Sequence, residues 1–382
     1  MIALWLLIAL AAGALLEVAA RLVARRSGRY ALTPHARSEH ALDRAELPSL
    51  PSTVRIEVNA EGERGGALPK GQRLWRALVI GGSAAECYML DQEDTWPLAL
   101  ERDLQTEPGP LGGRAIHVGS VARSLLTCAS LARMLGGILP RYRSLDLLIT
   151  YAGASDVVAW MEQGAPPACR AQEVPELDLF PVGPDEAFGW TPGTLALRRL
   201  AVRAARRLLR PVERRSGVGG TVGRNRRMRA AATTLIDELP EAEGMLRHLE
   251  EEFRRLVTQA RAHGARVLVV GQPWLERAFT PEEEQLLWSF GRGRPFEGPV
   301  DTYYTHRVAH ELLRRANEVQ FRVAREVGAE TLDLMDAVPM DFEHFYDDLH
   351  LTPQGAAVVG ARIAQAVREL EASSGDPSAS TH

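Results

Sequence analysis

The sequence predicts an α/β domain: a five-stranded parallel sheet covered by helices on both faces. Three observations predict it. Short stretches of strand character recur at residues 77–80, 115–118, 145–151, 266–270 and 330–334. Helical patterns fill the intervals, at 96–104, 130–139, 244–263 and 305–327. Strands that alternate with helices are joined by crossovers, which make neighbouring strands parallel and cover both sheet faces. The first stretch, Ala77-Leu78-Val79-Ile80, closes on Gly81-Gly82-Ser83, as a buried strand turning into a helix does.

With 382 residues, the chain can bury a sizeable core in one large domain with insertions or in two ordinary ones. A hydrophobic share of 46%, a charged share of 25% and a formal charge of -4 are globular values. They exclude a generally disordered chain and one that coats nucleic acid, so no nucleic-acid partner is expected. Cys87, Cys128 and Cys169 show no paired spacing, which excludes a disulfide framework and a Cys-only zinc site. Cys87 and Cys128 read as small packing residues.

Residues 1–28 open with an apolar run, 2–16, interrupted by Glu17 and followed by Arg21, Arg25, Arg26 and Arg29. The run is marginal for a membrane span and suits an anchor or a signal segment. No small-residue cleavage site stands out, which favours a retained anchor. Arginines that follow the run would hold the remainder in the cytoplasm, whereas a domain anchored at its N-terminus is expected here to face the periplasm or exterior; the two considerations point opposite ways. Residues 29–72 carry Pro, Gly, Ser and charge without sustained periodicity and read as a linker, with one strand at 53–58.

An ordered domain is expected over 73–372, interrupted by an insertion at about 157–243, with a disordered tail at 373–382. The insertion shows no strand-like run. It holds a Pro-rich loop at 165–192 and a stretch, 198–229, with twelve arginines against one Glu213. Such a stretch can face anionic lipid or an acidic polymer, or be a solvated helix face. A second irregular stretch, 276–300, carries Trp288, Phe290 and Phe296 where a loop would border the site.

Chemistry is expected beyond the carboxyl ends of the strands, where strand order reverses. Ser83 ends the first strand there, after two glycines that let the chain turn sharply. A serine hydroxyl needs a base to take its proton, and that base needs a third group to fix its tautomer. Near the C-terminus, Tyr346-Asp347-Asp348-Leu349-His350-Leu351-Thr352 supplies both, Asp347 standing three residues before His350. The sequence Gly81-Gly82-Ser83-Ala84-Ala85-Glu86 matches neither G-x-G-x-x-G nor the P-loop, which weakens a phosphate-binding reading.

These two blocks resemble the SGNH or GDSL-type serine hydrolases. The resemblance runs from about residue 76 to 367, the arginine-rich insertion apart. It rests on 79–88 with Trp96-Pro97 downstream, and on 346–352 followed by Gly355. It implies a flavodoxin-like three-layer α/β/α fold and ester or thioester hydrolysis through an acyl-enzyme. Ser83 would be the nucleophile, His350 the general base and then acid, and Asp347 the group that orients His350. The two middle blocks depart from the family pattern: Ser120 and Leu125 stand where asparagine and glycine are usual, and Gly153-Ala154-Ser155-Asp156 replaces Gly-x-Asn-Asp. The implied oxyanion donors are the Ser83 and Leu125 amides and the Ser155 hydroxyl, with Gly153 and Asp156 lining the substrate side. Asp156 also reads as a residue that pins loops by hydrogen bonds or caps a helix. A leucine at 125 can forbid the conformation a glycine takes.

The substrate expected is an acylated small molecule, lipid or glycan, with a membrane surface as a further partner and no cofactor or metal. A relative that binds a glycan or lipid without turnover, and an acyltransferase using the same triad, are the alternatives. His306 and His310, four apart on a helix, and the group Glu343, His344, Asp347, Asp348 and His350 are less favoured metal candidates.

Overall fold

The computed structural model describes residues 1–71, 73–169, 174–181 and 195–374. Its centre is a five-stranded, all-parallel sheet of β3 (Leu74–Gly81), β4 (Ala115–Ser120), β5 (Leu147–Tyr151), β8 (Arg266–Gly271) and β10 (Glu330–Asp333). The five strands fall on the five stretches read from the sequence. Their spatial order is β10-β8-β5-β3-β4. The chain leaves β3 toward β4, then returns to β5 on the other side, so strand order reverses at β3. This is the flavodoxin-like order, with its crevice between the carboxyl ends of β3 and β5.

Alternation along the strands explains the three layers. Leu78 and Ile80 of β3, Leu148 of β5, and Val267 and Val269 of β8 face one apolar cluster. Trp75, Ala77, Val79, Leu147, Ile149, Leu268 and Val270 face the other. The first cluster is closed by α4 (Cys128–Ile138), α5 (Ala154–Glu162), α9 (Glu243–Ala262) and α11 (His306–Glu326), the second by α3 (Trp96–Thr106) and α12 (Pro353–Ser374). Both faces of β3, β5 and β8 are covered by these clusters, which is why those strands read as apolar runs. The ends of α12 correct the expected tail: residues 373 and 374 are helical, and 375–382 lie outside the described residues.

Residues 29–71 are not a linker. β1 (Arg37–Leu42) pairs antiparallel with β2 (Thr53–Glu57), and Leu42, Leu47, Leu50 and Val54 are buried. Beyond β2, Glu63 enters the body and is fully buried. It accepts from Arg76 Nη2 and the Tyr142 hydroxyl at 2.7 Å, and its Oε2 lies 2.9 Å from His117 Nε2. Burial alone would raise its pKa, but His117, Arg76 and Tyr142 together hold it down at about 2. Polar anchors carry this segment, so hydrophobic periodicity could not reveal it.

The insertion also differs from expectation, because it contains strands. After α6 (Glu176–Leu179) and α7 (Ala196–Leu209) come β6 (Glu213–Val218), α8 (Gly220–Ala230) and β7 (Thr234–Ile236). β6 runs parallel to β1, and β7 runs parallel to β9 (Thr302–Tyr304). β6 is mostly charged and exposed, so backbone pairing rather than an apolar face defines it. Most of the Pro-rich loop lies outside the described residues. Short α10 (Pro281–Glu284) opens the second irregular stretch with a capping box between Thr280 and Glu283. At the other end of the chain, α1 (Ile2–Ser27) is a single helix whose residues 2–23 are long and apolar enough to cross a membrane.

Candidate active site

Ser83 begins α2 (Ser83–Glu86) directly after β3, at the strand-order reversal. The two glycines before it are demanded by close approach. A Cβ on Gly81 would overlap the Tyr151 carbonyl, and one on Gly82 would stand 2.5 Å from Ser155 Oγ. The same contact places the Ser155 hydroxyl, from the first turn of α5, beside the residue that precedes Ser83.

The loop before α12 brings the other two residues to it. His350 Nε2 lies 2.8 Å from Ser83 Oγ, and His350 Nδ1 lies 2.9 and 2.8 Å from the two oxygens of Asp347. Asp347 is fully buried. Its Oδ1 accepts from the amides of Leu349 and His350, at 2.9 and 2.8 Å, which fixes the carboxylate before the histidine is considered. Burial disfavours the imidazolium, but the charge of Asp347, its hydrogen bond and the nearby Asp348 and Glu86 outweigh it, so the His350 pKa lies above 6.5. Serine, histidine and aspartate are therefore joined in the order that proton transfer requires.

Trp288 completes this arrangement. Its indole Nε1 donates to Asp347 Oδ2 at 2.8 Å, and its ring lies parallel to His350 with centroids 6.3 Å apart. Tyr346 is also nearly parallel to His350, at 5.5 Å. Trp288 is itself held by Asp348, whose Oδ2 accepts from the Trp288 and Ser289 amides at 3.3 Å. Of two adjacent buried carboxylates, Asp347 contacts His350 Nδ1 and Asp348 holds the loop that carries Trp288 to Asp347. Trp288→Phe keeps a ring and removes the donor. A hydrogen bond to a charged group is worth about 1.5–3 kcal/mol, so kcat should fall about ten- to a hundred-fold in steady-state ester hydrolysis; an unchanged kcat would mean the two amides hold Asp347 unaided.

Two arginines that sequence reading passed over brace the loops. Arg64 is buried and donates to the carbonyls of Glu86, Cys87 and Leu90 at 2.6, 2.9 and 2.8 Å, tying down the chain just after Ser83. Arg226, on α8, donates to the carbonyls of Tyr346 and Leu286 at 3.0 and 2.8 Å, and to that of Glu46. The arginine-rich insertion thus reaches the loop that carries Asp347 and His350. Arg64 had no signal in the sequence and Arg226 was only one of the many arginines of 198–229, because guanidinium groups that bind backbone carbonyls form no motif. Trp288 had one: an aromatic in a loop expected to border the site.

The remaining candidates divide. Leu125 follows β4 with φ at +65°, so the leucine adopts the left-handed conformation it was expected to forbid. Its side chain is 55% exposed. A leucine held there is strained by about 1–2 kcal/mol, and little packing would be lost with it. Leu125→Gly should raise stability by up to about 1 kcal/mol after glycine's added unfolded-state entropy, read as a higher midpoint in thermal unfolding; a lower midpoint would show that the side chain packs. Gly153 is buried, with φ at +95°, and starts α5. Asp156 is buried against α4: both its oxygens accept from the Cys128 amide, at 3.1 and 3.0 Å, and burial raises its pKa to about 7. That is the loop-pinning geometry rather than a substrate contact, since α4 begins at Cys128.

His306 Nε2 lies 3.0 Å from Asp348 Oδ1 and 3.1 Å from Arg229 Nη2, a cation where a metal would stand. His344 Nδ1 lies 2.7 Å from Asp341 Oδ1. No group of metal-ligating side chains occurs among the described residues. A cleft opens at Ser83 and His350, walled by Ala84, Met89, Leu90, Tyr346 and Leu351.

The sequence model of the GDSL-like lipase/acylhydrolase family matches residues 79–358. Comparison with curated proteins finds no match. Among solved structures, a carbohydrate acetylesterase from Sinorhizobium meliloti aligns at 14% identity and TM-score 0.42, over 78% of this chain and 99% of that one. The aryl esterase of M. smegmatis aligns at 16% identity and TM-score 0.40, over 78% and 99%. A psychrotrophic esterase from Pseudoalteromonas sp. aligns at 10% identity and TM-score 0.39, over 77% and 97%.

Proposed function

The chain belongs to the GDSL-like lipase/acylhydrolase family and is a carboxylic ester hydrolase, and from that premise we propose that it cleaves a short O-acyl ester through an acyl-enzyme on Ser83. The observation that carries the proposal is the 2.8 Å contact between Ser83 Oγ and His350 Nε2, with Asp347 on the far nitrogen. His350 takes the Ser83 proton as Oγ attacks the acyl carbon. The carbonyl electrons move to its oxygen, which the Ser83 and Leu125 amides and the Ser155 hydroxyl receive. On collapse the ester C–O bond breaks, and His350 gives its proton to the departing alkoxide. Water then attacks the acyl-enzyme, losing a proton to His350, which returns one to Ser83 as the acid leaves.

The preference for a short acyl group rests on the closeness of the apolar walls Ala84, Met89, Leu90 and Leu351 to Ser83 and His350. Hydrolysis of p-nitrophenyl acetate should exceed that of p-nitrophenyl octanoate in kcat/KM. The reverse order would place the acyl chain elsewhere, and hydrolysis of neither would defeat the enzymatic mechanism.

The pH dependence follows from His350, which must be neutral to act as base. Its pKa is raised, so kcat/KM should rise with pH along a limb whose midpoint lies above 6.5. A midpoint below 6.5 in the pH profile would contradict the Asp347–His350 coupling. The sign for stability is opposite: the protonated ring favours the fold most below the unfolded value of about 6.5, and this contribution is lost as pH rises through the folded pKa.

The same proposal includes retention of α1 as a membrane anchor. Glu17 supports this, because its carboxylate accepts from the amides of Ala196 and Leu197 at the start of α7. Removal of α1 as a signal segment would strip that cap.

A further inference from the structure

α7 (Ala196–Leu209) is amphipathic and lies against α1. Leu197, Ala201, Ala204 and Leu208 recur at the spacing of one helix face. All four are exposed, Leu208 by 78%. Leu209 is equally exposed. Arg206 and Arg207 occupy the last turn, Arg210 follows it, and Arg206 falls opposite the apolar face. A face of this kind left in water needs an occupant, and α1 indicates which.

Within residues 2–23 of α1, only Glu17 and Ala20 are buried in the protein. The uninterrupted apolar stretch 2–16 rises about 22 Å, short of the roughly 30 Å hydrocarbon core of a bilayer. It ends at Glu17, which bonds Arg21 Nε at 2.9 Å and the amides of Ala196 and Leu197 at 2.8 and 3.0 Å. If α1 enters a membrane, this polar junction marks the boundary between hydrocarbon and headgroups. α7 starts at that junction.

We propose that α7 lies in the headgroup layer of an anionic membrane, with Leu197, Ala201, Ala204 and Leu208 against the acyl boundary and Arg206, Arg207 and Arg210 on lipid phosphates. This rests on the reading of α1 as an anchor. Arginine paired with phosphate is the chemistry expected of an interfacial helix. It also gives the insertion a second attachment: α7 leads through β6 to α8, whose Arg226 holds the Tyr346 carbonyl beside His350. The insertion thereby links the membrane surface to the catalytic loop.

Single-cysteine labelling of the full chain tests this. Cys87 and Cys128 are buried and Cys169 is partly exposed, so a Cys169→Ser background takes a fluorophore at Leu6→Cys, Leu208→Cys or Glu107→Cys, one at a time. The protein is reconstituted in phosphatidylcholine vesicles containing phosphatidylglycerol. The label at 208 should be quenched by shallow nitroxide lipids and lose the acrylamide quenching that the label at 107 retains. Adding Arg206→Glu and Arg207→Glu should return the label at 208 to water. If the label at 6 is lipid-quenched while that at 208 is as open to acrylamide as that at 107, the docking of α7 is overturned and the anchor stands. If the label at 6 is itself open to acrylamide, the anchor reading fails first. If the double reversal leaves label 208 in lipid, the arginine–phosphate pairing is overturned.

Discussion

Ser83→Ala should lower kcat/KM toward p-nitrophenyl acetate by about a million-fold, the scale on which a serine hydrolase loses activity without its nucleophile. The effect is chemical rather than structural. Ser83 is partly exposed, its hydroxyl meets His350 Nε2, and the turn that presents it is fixed by Gly81, Gly82 and the Arg64 guanidinium. Thermal unfolding of the variant should match the parent. Residual hydrolysis near the parent rate, in a variant that unfolds normally, would remove Ser83 from the mechanism.

Asp347→Asn should lower kcat by about ten-thousand-fold. In the parent, the buried carboxylate receives His350 Nδ1, two backbone amides and the Trp288 indole. An asparagine offers one acceptor oxygen and turns an NH₂ toward a donor, so either His350 is held in the wrong tautomer or an amide or indole is left unpaired. The limb of the pH profile should also move down, because Asp347 supplies the leading charge that raises the His350 pKa. A loss of stability with kcat preserved would mean that Asp347 supports the loop and does not orient the base. Read together with Trp288→Phe, the two variants separate the carboxylate from the group that steadies it.

The parts of this protein that could be read from sequence are those governed by repeating apolar patterns or by chemistry packed into short motifs. β3, β4, β5 and β8 are buried along nearly their whole length, so each appears as a compact run, whereas the edge strand β10 is mostly exposed. Ser83, Asp347 and His350 sit in two blocks because the strand end and the loop before α12 each deliver their residues locally. The N-terminal segment was hidden because Glu63 and Arg64 fasten it through polar contacts that have no period. β6 was hidden because a charged edge strand is defined by the partner it meets, here the sequence-distant β1. Leu125 shows a further limit: residue preference opposes a positive φ, yet the surrounding loop imposes it. Asp156 reads from sequence as a loop-pinning residue, and the fold identifies what it holds, the first amide of α4.

The nucleophile is tested most directly by intact-mass measurement after incubation with a fluorophosphonate. A serine made reactive by His350 and Asp347 should give one stoichiometric adduct, mapped to Ser83 by peptide fragmentation, and Ser83→Ala should give none. A folded parent protein that takes up no probe, or a Ser83→Ala protein that is still labelled, would contradict the proposed catalytic triad.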